Sequence, residues 1–158
     1  MEAVKIKTAV ALGDIQKFLG PKKLALAGAS RNVKKFGGTV LKELTEKGYE
    51  VYPVNPNATE IQGQKCYNSI ADLPASVKHL LIITPKKETL TVARQAVQKG
   101  MEMIWIQQMS DTPEAINYLK EAGTALIANK CILMFADTVK GPHQFHRFFV
   151  KLFGRYPK

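Results

Sequence analysis

The sequence predicts an α/β fold: a Rossmann-like, doubly wound, five-stranded parallel sheet in three α/β/α layers. Three observations predict it. Short, nearly continuous apolar runs alternate with longer amphipathic runs, as strands covered by helices on both faces should. Three amphipathic runs close on a glycine just before the next apolar run, at Gly48 in EKGYEV, Gly100 in QKGMEM and Gly123 in EAGTAL. Glycine there tolerates the left-handed conformation that ends a helix. The chain has 158 residues, enough for a single domain that buries roughly 70% of its unfolded surface without disulfides or metals.

The elements come in a regular order. A leading helix is expected near Asp14–Leu19, then strand one at Leu24–Ala27. Val40, Leu41 and Leu44 share one face of a helix from about Gly37 to Lys47, and strand two comes next at Val51–Val54. Ile61 to Tyr67 interrupts the pattern. Gly63 marks a tight turn there, and Ser69 with Asp72 fits a capping box for one short helix. Strand three is Leu80–Ile83. Thr84 before Pro85 reads as an N-cap with proline at the first helical position, opening a helix from about Lys86 to Lys99 on which Leu90, Ala93 and Val97 align. Strand four is Met103–Ile106. Thr112 and Pro113 open the next helix, which runs to about Ala122, and strand five is Ala125–Ala128. A basic closing helix is expected at about 142–154. Right-handed crossovers between such strands give an expected order of 3-2-1-4-5. One domain is expected over residues 1–158, with its core from about 14 to 134.

Composition narrows the class without naming a function. Hydrophobic residues make up 46% and charged residues 23%, ordinary for a globular chain. Cys66 and Cys131 are the only cysteines and form no CxxC pair, so a reducing cytoplasm is the expected setting. No apolar run reaches the roughly 18 residues of a membrane span, and Met1 to Leu12 lacks a signal-peptide apolar core. The formal net charge of +10 invites a polyanionic partner, whether nucleic acid, a membrane surface or a phosphorylated small molecule. Part of it is tail: from Lys130 onward there are six Lys or Arg against the single acid Asp137. A solvated surface is the simpler account of that tail.

Leu24 to Ser30, LALAGAS, is the most informative stretch. A buried strand ends in Gly28, where a side chain would block a ligand's approach, and Gly37 and Gly38 open the next helix. Free backbone amides at a helix start, together with the helix dipole, make an anion site, to which Ser30 can add a hydroxyl. A glycine that merely permits a tight turn is the plainer alternative, weakened by the strand before and the helix after. The turn departs from the dinucleotide fingerprint G-x-G-x-x-G: Ser30 replaces the second glycine, and an insert carrying Arg31, Lys34 and Lys35 delays the helix. Strand two ends Tyr52-Pro53-Val54-Asn55-Pro56, without the acid that binds a ribose diol in NAD sites. A basic loop suits a ligand with an extra phosphate, such as NADP or coenzyme A.

These segments resemble a family. GAS after strand one, YEVYPVNP at strand two, G-x-K-C-Y at Gly63–Tyr67 and NKCI after strand five are similar to the small stand-alone CoA-binding proteins. Those in turn resemble the CoA-binding domain of succinyl-CoA synthetase α subunits and of NDP-forming acyl-CoA synthetases. The resemblance covers about Asp14 to Met134. It implies coenzyme A as the cofactor, with Gly28, Ala29 and Ser30 on the pyrophosphate and Gly37 at the helix start beyond them. Lys35 and Phe36 would flank the nucleotide, Asn55 and Pro56 would line the adenine and ribose side, and Thr84 and Pro85 would form the opposite wall. The synthetases phosphorylate a histidine in a neighbouring domain, and the resemblance supplies no counterpart of it here.

No catalytic set emerges from the residues. His79 precedes strand three and reads as structural. His143 and His146 are three apart on the expected tail helix, but no nearby acid or cysteine completes a metal site. Cys131 comes after strand five beside Lys130, where a cation could stabilise a thiolate and allow a mixed disulfide with CoA; a small buried hydrophobe is the simpler reading. Trp105 reads as core. Gln107, Gln108 and Asp111 come after strand four at the ligand edge, Asp111 as a helix-start charge. No nucleophile, base and orienter stand together. The expectation is a non-catalytic protein that binds CoA or an acyl-CoA as a small-molecule nucleotide ligand. The alternatives are an NADP-binding oxidoreductase or redox sensor, and a nucleic-acid binder, for which no reader motif is present.

Overall fold

The computed structural model describes residues 12–136. The expected helix at about 142–154, with His143 and His146, lies outside the described residues. Helix α1 (Leu12–Leu19) leads into β1 (Lys23–Ala27), α2 (Phe36–Glu46) and β2 (Glu50–Val54). Next come a two-stranded hairpin, β3 (Glu60–Ile61) and β4 (Gln64–Lys65), and a 3-10 turn at Ile70–Asp72. The rest alternates: β5 (His79–Ile82), α3 (Lys86–Lys99), β6 (Met103–Gln107), α4 (Pro113–Glu121), β7 (Ala125–Lys130), and a second 3-10 turn at Ile132–Met134. Among the described residues no helix is long and apolar enough to cross a membrane.

The long strands form one five-stranded parallel sheet in the order β2-β1-β5-β6-β7. The α/β class is therefore as the sequence predicts. The order of the five long strands, counted along the chain, is 2-1-3-4-5 and not 3-2-1-4-5. Pro53 gives the physical reason. A proline has no N–H to give to a ladder, so it belongs on a sheet edge. Its carbonyl accepts from the Tyr67 amide at 2.9 Å, so its missing N–H also faces outward, where no neighbouring strand needs it. Tyr67 in turn accepts from the Asn55 amide at 2.9 Å and bridges to Val54. The outer flank of β2 is thus occupied at its C-terminal end. The chain then crosses the sheet by way of Ile70, Leu73 and Val77, all buried, and adds β5 on the free side of β1.

Alternation along the strands builds two cores. Leu24, Leu26, Leu81, Trp105 and Ile127 face α1 and α2, against Ile15, Phe18, Val40, Leu41 and Leu44. Ala25, Ala27, Leu80, Ile82, Ile104 and Ile106 face α3 and α4, against Ala93, Ala96, Ala115 and Leu119. Helix and strand bounds lie close to the predicted ones, and Gly48, Gly100 and Gly123 all take positive φ. Gln62 and Gly63 form the hairpin turn with φ of 51° and 74°. Thr112 caps α4, accepting from the Ala115 amide at 3.2 Å. Two local readings change. Pro85, not Thr84, is the N-cap of α3; the Thr84 hydroxyl instead bonds that of Thr89 at 3.2 Å, below the helix start. Ser69 gives its hydroxyl to Asp72 at 2.9 Å rather than capping an amide, and the helix there is a single 3-10 turn.

His79 and Trp105 are core, as read from sequence. The His79 ring stacks on Phe18 and its Nδ1 lies 2.9 Å from the Phe18 carbonyl. Trp105 is fully buried and donates to the Lys130 carbonyl at 3.0 Å. β7 runs to Lys130, two residues further than predicted. It carries an irregularity: Ile106 pairs with Ala128, but Gln107 pairs with Lys130, so Asn129, at φ 61°, is an extra residue. Such a bulge bends a strand and re-aims the residues beyond it.

Candidate nucleotide site

The crossover after β1 runs through α2 on one face, and the one after β5 runs through α3 on the other. Between β1 and β5 the loops part, which is where open α/β sheets hold ligands. A cavity of about 690 Å³ opens there, within the usual range for small-molecule sites. It draws on four separate stretches. Gly28, Ala29 and Ser30 come from the end of β1, and Lys35, Phe36 and Gly37 from the start of α2. Asn55 and Pro56 lie just past β2, while Thr84 and Pro85 lie just past β5. All ten residues singled out in the sequence line this one cavity.

Local chemistry explains the shape. Gly28 sits at φ +91°, and a Cβ on it would lie 2.5 Å from the Ile83 carbonyl oxygen. Its first constraint is therefore the packing of β1 against β5, with backbone exposure to the cavity as the result; sequence alone assigns that constraint to the ligand. At Gly37 a Cβ would overlap the Gly28 carbonyl oxygen, so the start of α2 is held directly against the turn. The insert is a compact fold of its own: the Ser30 hydroxyl accepts from the Asn32 amide, and Asn32 Oδ1 accepts from the Lys34 amide. Lys35 then caps α2 with no side-chain hydrogen bond. The amides of that first turn have no acceptor within the helix, and no acid stands in it. That is the composition of an anion site.

Asn55 does more than line the wall. Its Nδ2 donates to the Ala29 carbonyl at 2.9 Å, while its Oδ1 accepts from the Asn57 amide at 2.8 Å. It ties the turns after β1 and β2 together. Of the insert's cations only Lys35 reaches the cavity; Arg31 and Lys34 are exposed and lie outside its lining. Sequence reasoning missed the α3 wall, where Lys87, Thr91 and Gln95 line the cavity together with Glu88 and Val92. Lys87, Thr91 and Gln95 recur every four residues, so they share a face. That polar stripe opening just after the ligand edge was the available signal. Asn68 and Ser69, on the β2 side, were also missed. Among the described residues no cluster of three His, Cys, Asp or Glu could hold a metal.

Cys131 is 5% exposed and lies beside Gln107. Burial pushes its thiol above the ordinary value, and the hydrogen bond with the Gln107 side chain only partly opposes this. A resting thiol, not a thiolate, is the consequence. Because the folded protein holds this proton more tightly than the unfolded chain, stability is lost as pH rises through the unfolded-state thiol value, about 8.5–9. Urea unfolding should therefore show a midpoint falling between pH 8 and pH 10, with a smaller fall in Cys131→Ala. Iodoacetamide at pH 8 should label the native thiols far more slowly than the urea-unfolded ones; native labelling at the rate of a free thiol would contradict this burial.

The comparisons with known proteins give the family and the fold. The model of the family described as CoA binding domain matches residues 22–137. An ADP-forming acetate–CoA ligase of Archaeoglobus fulgidus is 40% identical over 91 residues, 56% of this chain. The chain spans only 14% of that ligase's length. Among solved structures, a conserved hypothetical protein of Pyrococcus furiosus is 43% identical with a TM-score of 0.68, over 70% of this chain and 95% of that one. A hypothetical protein of Pyrococcus horikoshii is 34% identical with a TM-score of 0.78, over 89% of this chain and all of that one. With its sheet, its glycine turn and most of its length accounted for, the chain belongs to the CoA-binding domain family.

Proposed function

We propose that this protein binds coenzyme A or an acyl-CoA at the C-terminal edge of its sheet, without catalysis of its own. The observation that carries the reading is the convergence of the ten residues on one cavity, beside an α2 start with neither acid nor side-chain cap. The family supports the choice of ligand. Discrimination against NAD has its own support. The wall after β2 is Val54, Asn55, Pro56 and Asn57, which offers no carboxylate to a ribose diol. Lys35 and Lys87 outnumber Glu88 in the lining, which favours a ligand rich in phosphate. The absence of catalysis is supported by the lining itself: its described residues include hydroxyls but neither histidine nor cysteine, and Cys131, farther along the sheet edge, is a buried thiol whose proton is held more tightly than usual, so no activated nucleophile stands beside the ligand.

Calorimetry with CoA, NADP and NAD tests the assignment. CoA should bind at least about tenfold more tightly than either dinucleotide, a difference of about 1.4 kcal/mol. NADP binding as tightly as CoA would overturn it.

A further inference from the structure

A second cavity, of about 410 Å³, lies next along the same sheet edge. The first spans the ends of β2, β1 and β5; the second spans those of β5, β6 and β7. Phe36 and Ile83 line both. The remaining lining is Gln107, Gln108, Met109, Ser110 and Cys131. Resting on the CoA reading of the first cavity, we propose that the second holds the acyl group of a CoA thioester, and that it selects uncharged, apolar acyl groups.

Three observations carry this. The two cavities adjoin, so a ligand anchored by its nucleotide at the α2 start can run its arm past Phe36 toward β6. Every described lining residue of the second cavity is uncharged; a carboxylate brought in there would lose water without gaining a cation. Met109 is the third. It is 75% exposed and held at φ 77°, a strained conformation for a non-glycine residue that persists only where its surroundings enforce it. The enforcement is visible: the Gln108 amide donates to the Lys130 carbonyl at 3.1 Å, and the Ser110 amide to the Gln107 carbonyl at 2.9 Å. The extra residue Asn129 sets Lys130 opposite Gln107. Gln107 itself is buried, with its Oε1 accepting from the Ile132 amide at 3.1 Å. A tight turn pinned from both sides thus presents a large apolar side chain at the cavity that Phe36 also lines. Ser110, whose backbone is engaged by Gln107 and Thr89, brings a hydroxyl that can donate to a thioester carbonyl.

The test compares CoA, butyryl-CoA and succinyl-CoA by calorimetry on the full chain and on Met109→Asn. Asparagine accepts positive φ better than most residues, so the turn should survive while the apolar wall is lost; circular dichroism checks the fold. In the unaltered protein butyryl-CoA should bind about tenfold more tightly than CoA, the scale expected for partial burial of a three-carbon chain. Succinyl-CoA should bind no more tightly than CoA. Met109→Asn should bring the butyryl-CoA to CoA ratio close to one. CoA binding with no preference for butyryl-CoA overturns the acyl cavity alone. A preference that survives in Met109→Asn overturns the role of Met109 and the cavity with it. Failure of all three ligands to bind overturns the CoA reading, and this inference falls with it.

Discussion

Gly28→Ala should cost about 2–5 kcal/mol of folding stability, a large part of what a domain this size possesses. Two costs add. A left-handed conformation costs a residue with a Cβ roughly 1–2 kcal/mol. The new Cβ would also lie 2.5 Å from the Ile83 carbonyl oxygen and 2.7 Å from its carbon, and that backbone, just past β5, is held to β1 by the Ile83 amide donating to the Ala27 carbonyl at 2.8 Å. Overpacking of this kind costs roughly 1–3 kcal/mol. Gly48→Ala separates the terms, because Gly48 has a similar φ of +85° but nothing within 4 Å of its would-be Cβ. It should lose only the conformational part, about 1 kcal/mol. Urea titrations followed by the fluorescence of Trp105, the chain's single tryptophan, would measure both. Equal losses at the two positions would mean that β1 and β5 part more readily at Gly28 than their packing implies. A consequence for any binding study is that a bulky residue at Gly28 destroys the fold along with the site, and so says nothing about ligand position.

Lys35→Ala is the sharper probe of the ligand. A hydrogen bond to a charged group contributes about 1.5–3 kcal/mol, and Lys35 is exposed, so the lower end applies. CoA affinity should fall about tenfold. Dephospho-CoA, which lacks the 3′-phosphate, should lose much less if Lys35 contacts that phosphate. Arg31→Ala and Lys34→Ala should change either affinity little, since neither side chain lines the cavity. Calorimetry on the four combinations of protein and ligand closes the cycle. Equal losses for both ligands would move Lys35 to the pyrophosphate; no loss for either would remove it from the site.

Much of this was legible in the sequence because single residues impose it. Glycines before strands marked where helices end, and the apolar runs marked where a sheet must be covered on both faces. The site residues were legible because they cluster at strand ends, where an α/β sheet exposes backbone. The features that escaped were long-range. The strand order depended on Pro53 being read as an edge signal; its lack of an N–H was in plain view, but the Tyr67 contact that completes the argument was not. The α3 wall escaped because Lys87, Thr91 and Gln95 look like any solvated helix face until the cavity is seen beneath them. Thr84 before a proline had the composition of a cap, but the hydroxyl of Thr89 competes for it. The bulge at Asn129 left no trace at all in the apolar pattern.

The closed flank of β2 bears on how the protein behaves at high concentration. A parallel or antiparallel strand from another copy would need a row of donors and acceptors along that edge. It would find a position with no donor at Pro53 and two backbone groups already taken by Tyr67. Growth of the sheet by strand addition is therefore blocked on this side. Pro53→Val would restore the missing donor, but the two groups held by Tyr67 would remain taken, so this flank should stay closed and the protein should be no more prone to self-association.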